Sequence, residues 1–427
     1  MKIPFRLALS AVIAFSSGCA TQAPTPATAP PAPVQTATAG ARTPLLLISI
    51  DGYRADYIDR HLSPTLATLA KDGVKASALI PSFPSLTFPN HYTIVTGLRP
   101  DHHGIVNNTM SDPRLGNFSL SNRKAAADGN WWAEGTPIWE SAGRQGLHTA
   151  TMFWPGSEAD IHGYRPDHWL PYDGKITADQ RVDQVLAWLD LPPSERPGFL
   201  TLYFDDVDHA GHSHGPDSKE VNEALGIVDT AMARLVAGLK QRQMLDAINI
   251  VVVSDHGMAA TPVKNSVMID QIITLDHVQQ VSLGVLAGFN PKPGFDFERV
   301  KAKLVQPHEH MQCWDKASVP ARFQYGSNAR VPQVVCLAQT GWRITTNAYM
   351  AKRMKDGSVS LGDHGYDNQD PNMRAMFIAH GPAFRSGVNL PDVDNVDIYP
   401  MMTRILGIQP ATNDGDVSHV QSALKPH

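Results

Sequence analysis

Three aspartates, three histidines and one threonine are spaced along this chain in a way that suits metal-assisted phosphoryl chemistry. Asp51 closes the apolar run LLLISID, Asp208 and His212 lie in DDVDHAGHSHGP, Asp255 and His256 end NIVVVSDHG, and His364 sits in LGDHG. Carboxylate and imidazole are ligand types of zinc. One Asp after a buried strand is ordinarily a cap, but several can converge, because the carboxyl ends of the strands in an open parallel sheet line one crevice. Thr87, within PSFPSLTFPNHYTIVTGLRPDHHGIVNN (residues 81–108), is the candidate nucleophile. Pro89 suits a first helical turn, so a helix is predicted to start near Phe88 or Pro89. The Thr87 hydroxyl would then stand at the positive end of that helix, where backbone N–H groups favour a phosphoryl oxygen. An unassisted alcohol is a poor nucleophile at neutral pH, so a base or a metal is also required.

The elements that must position these groups alternate between strand and helix. Residues 44–50, 74–80, 147–154, 199–204 and 248–253 read as strands, the first apolar throughout as a buried parallel strand should be. Residues 63–71 read as a helix closed by Gly73. From 219 to 243 an amphipathic helix repeats Leu225, Val228, Met232, Leu235 and Leu239 at three- and four-residue steps. The alternation predicts an α/β fold, a doubly wound, mostly parallel sheet with helices on both faces. Residues 116–139, with Trp131, Trp132 and Trp139, read as irregular surface covering near the site, and residues 261–355 as a small inserted subdomain. The core resumes at 373–379 and ends in a helix over 396–406, leaving 411–427 as a tail.

At 427 residues with 42% apolar content the chain can bury a large core, and one large domain over residues 43–410 is expected. A net charge of −5 argues against a surface for polyanionic nucleic acid, so no stable nucleic-acid complex is expected. Lys2 and Arg6 precede the short apolar run LALSAVIAF and the small residues SSGC, so residues 1–19 read as a signal peptide. Small residues before Cys19 resemble a bacterial lipobox, although Ser16 stands where Leu is usual, and plain cleavage near Ala20 stays open. Both readings export the protein. In a Gram-negative host, Ala20 after Cys19 resembles the pattern sent to the outer membrane, with the lipid as the only membrane contact. Residues 20–42, rich in Pro, Ala and Thr, read as an extended tether. Cys313 and Cys336 remain, either paired, as an oxidising compartment permits, or as free thiols.

The segments ISIDGYRADYI, PSLTFPNHYTIVTGLRPDHHGIVNN, DVDHAGHSHGP, VVVSDHGM and GDHGYDN, in that order, resemble the nucleotide pyrophosphatase/phosphodiesterase family of the alkaline phosphatase superfamily, in a bacterial exported member. The resemblance covers residues 43–407. It implies two zinc ions about 4 Å apart, with Asp208, His212 and His364 on one metal and Asp51, Asp255 and His256 on the other. It implies Thr87 as the nucleophile bridging toward both, Asn108 as the donor to the phosphoryl oxygen, and a phosphothreonine intermediate. Three carboxylates, an ionised Thr87 and two dications sum to near neutrality, which suits a phosphodiester monoanion.

The substrates implied are small nucleotide phosphodiesters and pyrophosphates, cleaved to nucleoside monophosphates. Phe88 and Tyr203 would face the base, with Tyr172 and Leu120 as further contacts. Choline-headgroup diesters are the alternative, with Trp131, Trp132, Tyr172 and Glu134 enclosing the cation. A monoesterase would want an Arg beside the nucleophile, and Phe88 follows Thr87 instead; the C/S-x-P-x-R motif of a sulfatase is absent from the Thr87 loop. His91, His102, His103, His209 and His214 read as hydrogen-bonded support, and Asp363 and Asp206 as partners that orient ligands. Oligomeric state is open.

Overall fold

Apolar alternation on both faces sets the architecture. In the computed structural model, which describes residues 43–426, the strand Leu45–Ile50 is buried along its whole length. Leu45 and Leu47 point into one apolar cluster, and Leu46, Ile48 and Ile50 into a second. A strand with both faces covered must sit inside a sheet sandwiched by other layers. Eight strands form that sheet, in the order Val388–Leu390, Val74–Ala76, Phe377–His380, Asn249–Val253, Leu45–Ile50, Phe199–Phe204, Thr149–Met152 and His168–Trp169. All pairings are parallel except the two made by Phe377–His380. The fold is the expected α/β type, with one antiparallel strand set into a doubly wound sheet.

Three strand ends meet at the centre. Leu45 pairs with Phe199 on one side and with Asn249 on the other, so Asp51, Asp205–Asp208 and Asp255–His256 all leave the sheet at the same edge. Gly52, at φ +69°, lets the first two loops touch: a Cβ there would lie 2.9 Å from the Asp208 Cα. The helix Thr87–Thr96 begins one residue before the expected start, with Leu86 as its N-cap and Gly97 closing it in the left-handed conformation. The long helix Lys219–Gln241, capped by the Ser218 side chain on the Val221 N–H, lays Leu225, Val228, Met232, Leu235 and Leu239 on the sheet.

Three sequence expectations change. The strand expected over 74–80 is broken into Val74–Ala76 and Leu79–Ile80, the latter paired with Val393–Asp394. The stretch 116–139 covers the site, with Leu120, Arg123 and Ala126 on the cleft, but it is less irregular and less superficial than expected: Trp131, Trp132 and Trp139 are buried, and the strand Gly116–Ser119 forms a hairpin with Thr109–Asp112. Residues 411–426 are folded onto the body, with Val420, Ala423 and Leu424 buried.

Residues 261–355 carry a four-stranded antiparallel sheet in the order Val278–Ser282, Leu286–Pro291, Val334–Ala338 and Met311–Asp315. Cys313 and Cys336 face each other across the last pair and form a disulfide, with Cα atoms 3.9 Å apart. The apolar residues of this segment belong to the same cluster as one face of the main sheet, so the insertion shares the domain's core.

Candidate active site

The six Asp and His residues singled out from sequence come together at the strand-end edge. Asp208, His212 and His364 offer ligand atoms within 4.8 Å of one another, and so do Asp51, Asp208 and His256. His256 Nε2 lies 2.9 Å from Asp255 Oδ2 and 3.5 Å from Asp51 Oδ1. His91 joins them: its ring lies within ligand reach of Asp51 and Asp255, but Nε2 meets the Ser49 hydroxyl at 2.8 Å and Nδ1 the Thr87 carbonyl at 2.9 Å. Both nitrogens are engaged, as expected of a supporting histidine.

The three other histidines share one orientation. His212 Nδ1 meets the Gly362 carbonyl at 2.7 Å, His256 Nδ1 the Gly257 carbonyl at 2.9 Å, and His364 Nδ1 the Ser85 carbonyl at 3.0 Å. A carbonyl only accepts, so each Nδ1 carries the proton and each Nε2 lone pair is aimed into the cluster. Two of those lone pairs, on His212 and His364, sit 3.1 Å apart. Around them, buried Asp51 Oδ1, Asp208 Oδ1 and Asp255 Oδ2 have no hydrogen-bond partner. Burial and the adjoining Asp255 and Asp208 carboxylates push the Asp51 carboxyl well above its usual range. Burial and the neighbouring His256 and His212 hold His364 well below the usual imidazole range, in the neutral form that ligates. Facing lone pairs and orphaned buried carboxylate oxygens are strongly unfavourable unless cations lie between them, so the residues present fit a metal centre.

Thr87 stands at this centre, its Oγ1 3.2 Å from His256 Nε2. The helix end does less for it than the sequence suggested. Pro89 has no N–H and the Phe88 N–H is taken by Asn108 Oδ1 at 2.9 Å, so of these three residues Thr87 alone has an N–H left free. A helix-terminus field is worth roughly 1 kcal/mol, under one pKa unit, too little by itself to ionise an alcohol. With Oδ1 committed to Phe88, Asn108 has its amide N–H groups free to donate.

A cleft of about 320 Å3 opens on the cluster, lined by Thr87, Phe88, Asn108, Leu120, Tyr172, Tyr203 and His209 among others. Tyr172 is fixed by its hydroxyl on Asp205 Oδ2 at 2.5 Å, and Asp205 in turn accepts from Arg181 at 2.8 Å. Tyr203, expected as a stacking face, is 8% exposed and donates its hydroxyl to Asp51 Oδ2 at 2.6 Å, so it also orients a ligand. Asp363 is paired with Arg343 at 3.0 Å and lies 3.8 Å from His212 Nδ1. Asp206 makes no side-chain hydrogen bond to the cluster among the described residues, and its neighbour Asp205 holds Tyr172 and Arg181 rather than a member of the Asp/His set. The choline cage does not assemble. Trp131 and Trp132 are buried, Glu134 is bound to Asn328 and Arg330, and none of the three lines the cleft.

Sequence reasoning missed Arg123, Trp154 and Glu158, which also line the cleft. Arg123 is ion-paired with Glu158, and its guanidinium lies 5.5 Å from the centre of the Tyr172 ring. Trp154 and Glu158 follow the strand Thr149–Met152 at the same edge as the ligands, a position that itself marks site residues in this kind of sheet.

An alkaline-phosphatase-like sheet with an Asp/His cluster around a threonine hydroxyl defines a metal-dependent phosphoryl hydrolase. The family described as type I phosphodiesterase / nucleotide pyrophosphatase matches residues 45–367, and the chain belongs to it. It is accordingly a hydrolase acting on phosphodiester and pyrophosphate bonds. An uncharacterized pyrophosphatase/phosphodiesterase of Schizosaccharomyces pombe is 38% identical over 87% of this chain and 78% of its own length. A bis(5'-adenosyl)-triphosphatase of Mus musculus is 37% identical over 89% of this chain and 81% of its own. Ectonucleotide pyrophosphatase/phosphodiesterase family member 3 of Bos taurus is 36% identical over 90% of this chain, which spans only 44% of that longer relative. Among solved structures, murine ectonucleotide pyrophosphatase/phosphodiesterase 5, an inactive threonine-to-alanine variant in complex with AMP, superposes with a TM-score of 0.85 at 32% identity, covering 90% of this chain and all of that one.

Proposed function

We propose that the protein is a two-zinc nucleotide pyrophosphatase/phosphodiesterase that releases nucleoside monophosphates through a phosphothreonine on Thr87. The observation that carries the reading is the Thr87 hydroxyl set beside three inward-facing imidazoles and three orphaned carboxylate oxygens. Asp208, His212 and His364 would hold one ion, and Asp51, Asp255 and His256 the other. When bound, the ions supply Lewis acidity that makes the Thr87 alkoxide accessible and neutralises phosphoryl oxygens. Thr87 Oγ1 attacks phosphorus in line; the bond to the leaving oxygen breaks as the new one forms. Water then cleaves the Oγ1–phosphorus bond, which restores Thr87 and frees the monophosphate. The Asn108 amide donates to the phosphoryl oxygen as charge develops there. Phe88 and Tyr172 stack on the base, with Leu120 beside them; such stacking is worth roughly 1 to 3 kcal/mol and tolerates any base. The murine relative that is inactive as a threonine variant and holds AMP supports both the nucleophile and the substrate class.

Specificity constants for a nitrophenyl-nucleotide diester, glycerophosphocholine and a nitrophenyl monoester test the reading. The nucleotide diester is expected first, with the monoester far behind. A monoester hydrolysed fastest would move the protein to the phosphatase branch.

Export is part of the proposal. The signal-peptide pattern at 1–19, Cys19 and the tether at 20–42 lie outside the described residues, and the Cys313–Cys336 disulfide supports an oxidising compartment. Expressed in a Gram-negative host, the protein should fractionate with the outer membrane and take a lipid label. A soluble, unlabelled periplasmic product would mean cleavage without lipidation, and a cytoplasmic one would overturn export.

A further inference from the structure

One buried guanidinium from the insertion, Arg330, ties together two segments that build the site, residues 104–112 and 130–134. The residue is 2% exposed, and its guanidinium makes four hydrogen bonds and one further ion pair. Nε donates to Asp112 Oδ2 at 3.0 Å, and Nη1 to the Gly104 and Trp131 carbonyls at 2.9 and 2.7 Å. Nη2 reaches the Asn130 carbonyl at 3.4 Å and Glu134 Oε1 at 3.2 Å. Gly104, at φ +76°, leaves the space: a Cβ there would stand 2.6 Å from Nη1. The tie is reciprocated, since Asp101 accepts from the backbone N–H groups of Gly326, Ser327 and Asn328 at 2.8 to 3.0 Å.

What is tied matters for the chemistry. Gly104 and Asp112 bracket Asn108, whose Oδ1 holds the Phe88 N–H and whose carbonyl receives the Leu120 N–H at 3.0 Å. Asn130 and Trp131 precede Trp132, which packs against Phe88 with ring centres 5.8 Å apart. Asn108 itself lies outside any strand or helix, on the segment between Gly104 and the hairpin strand Thr109–Asp112, so its position depends on what holds the two ends of that segment as well as on Phe88 and Leu120. A planar fork with five donors in fixed directions can lock both segments at once, and a lysine ammonium with three rotatable donors on a flexible stem does so less well.

We propose that Arg330 is a positioning residue for catalysis: by pinning residues 104–112 and 130–134 it holds the Asn108 amide where the phosphoryl oxygen develops charge. This rests on the role given to Asn108 above. Displacement of such a donor by about 1 Å costs on the order of 100-fold in rate. The effect should fall on kcat, because the donor acts on transition-state charge.

The test is a double-mutant cycle on the full chain, with a nitrophenyl-nucleotide diester as substrate and hydrogen exchange alongside. Arg330→Met is expected to lower kcat about 10- to 100-fold with KM nearly unchanged. Most of that loss should vanish in an Asn108→Ala background, and faster exchange should be confined to residues 104–134. Arg330→Lys should give a smaller loss of the same kind, and it replaces Arg330→Met if that variant does not fold. A folded variant with wild-type kcat, or a full loss that persists on Asn108→Ala, overturns the proposal. If Asn108→Ala alone costs nothing, the role of Asn108 has failed instead, and exchange at 104–112 still decides whether Arg330 holds the loop.

Discussion

Thr87 and its neighbours show what single residues contribute. Thr87→Ala removes the proposed nucleophile but none of the Asp/His set, so turnover should vanish while bound metal and unfolding temperature stay near wild type; Thr87→Ser should keep part of the rate. A Thr87→Ala enzyme with a tenth of the wild-type rate would make water the nucleophile. Of the candidate metal ligands, Asp51 and the Asp255–His256 pair were legible because they close apolar strands, whereas Asp208, His212 and His364 were legible through the motifs DVDHAGHSHGP and GDHGYDN. Tyr203 was legible only as an aromatic ring; that its hydroxyl would meet Asp51 Oδ2 depends on two adjacent strands lying in register, Ser49 opposite Tyr203. Arg330 carried no signal, since its partners at 104, 112, 130, 131 and 134 form no pattern with it in sequence.

At the scale of elements, the strand and helix periodicities placed the sheet well and the connections poorly. Burial on both faces writes itself into a strand as an unbroken apolar run. A segment such as 116–139 shows no period because its tryptophans fill irregular space between elements. His103 shows how such a connection carries stability. It ends the short helix Pro100–His103, takes the Ile105 N–H on Nδ1 at 3.1 Å, and lies with Nε2 3.2 Å from the Pro89 carbonyl. Burial holds its pKa down to about 3, outweighing the backbone carbonyl that favours the charged form. The unfolded chain binds a proton below about pH 6.5 that folded His103 refuses. Stability should therefore be independent of this group above 6.5 and fall as pH drops toward 3, by up to about 1.4 kcal/mol per unit. Urea midpoints of wild type and His103→Gln at pH 7.5 and 5.5 check it. The variant is expected to start lower and to lose less between the two, and an equal loss in both would assign the acid sensitivity to other groups.

Across the whole molecule, the ligands span the chain from Asp51 to His364, and no contiguous half of it holds the set. The sheet must be closed, with Leu45–Ile50 between Phe199–Phe204 and Asn249–Val253, before the lone pairs face one another. Metal held by this set would favour the folded state and stabilise it by mass action, by up to about 2.7 kcal/mol at a free concentration 100 times the dissociation constant. A chelator should lower the melting temperature and abolish turnover together. Protein that keeps full activity without metal would sink the two-ion site. The same closure sets an order of events in the life of each molecule. A chain still emerging from synthesis lacks the assembled set, so acquisition of an ion would come last, after the architecture is complete. Protein refolded in chelator should accordingly gain activity on simple addition of zinc, with no second round of unfolding. The active fraction is then governed by the metal supply of the compartment where folding finishes.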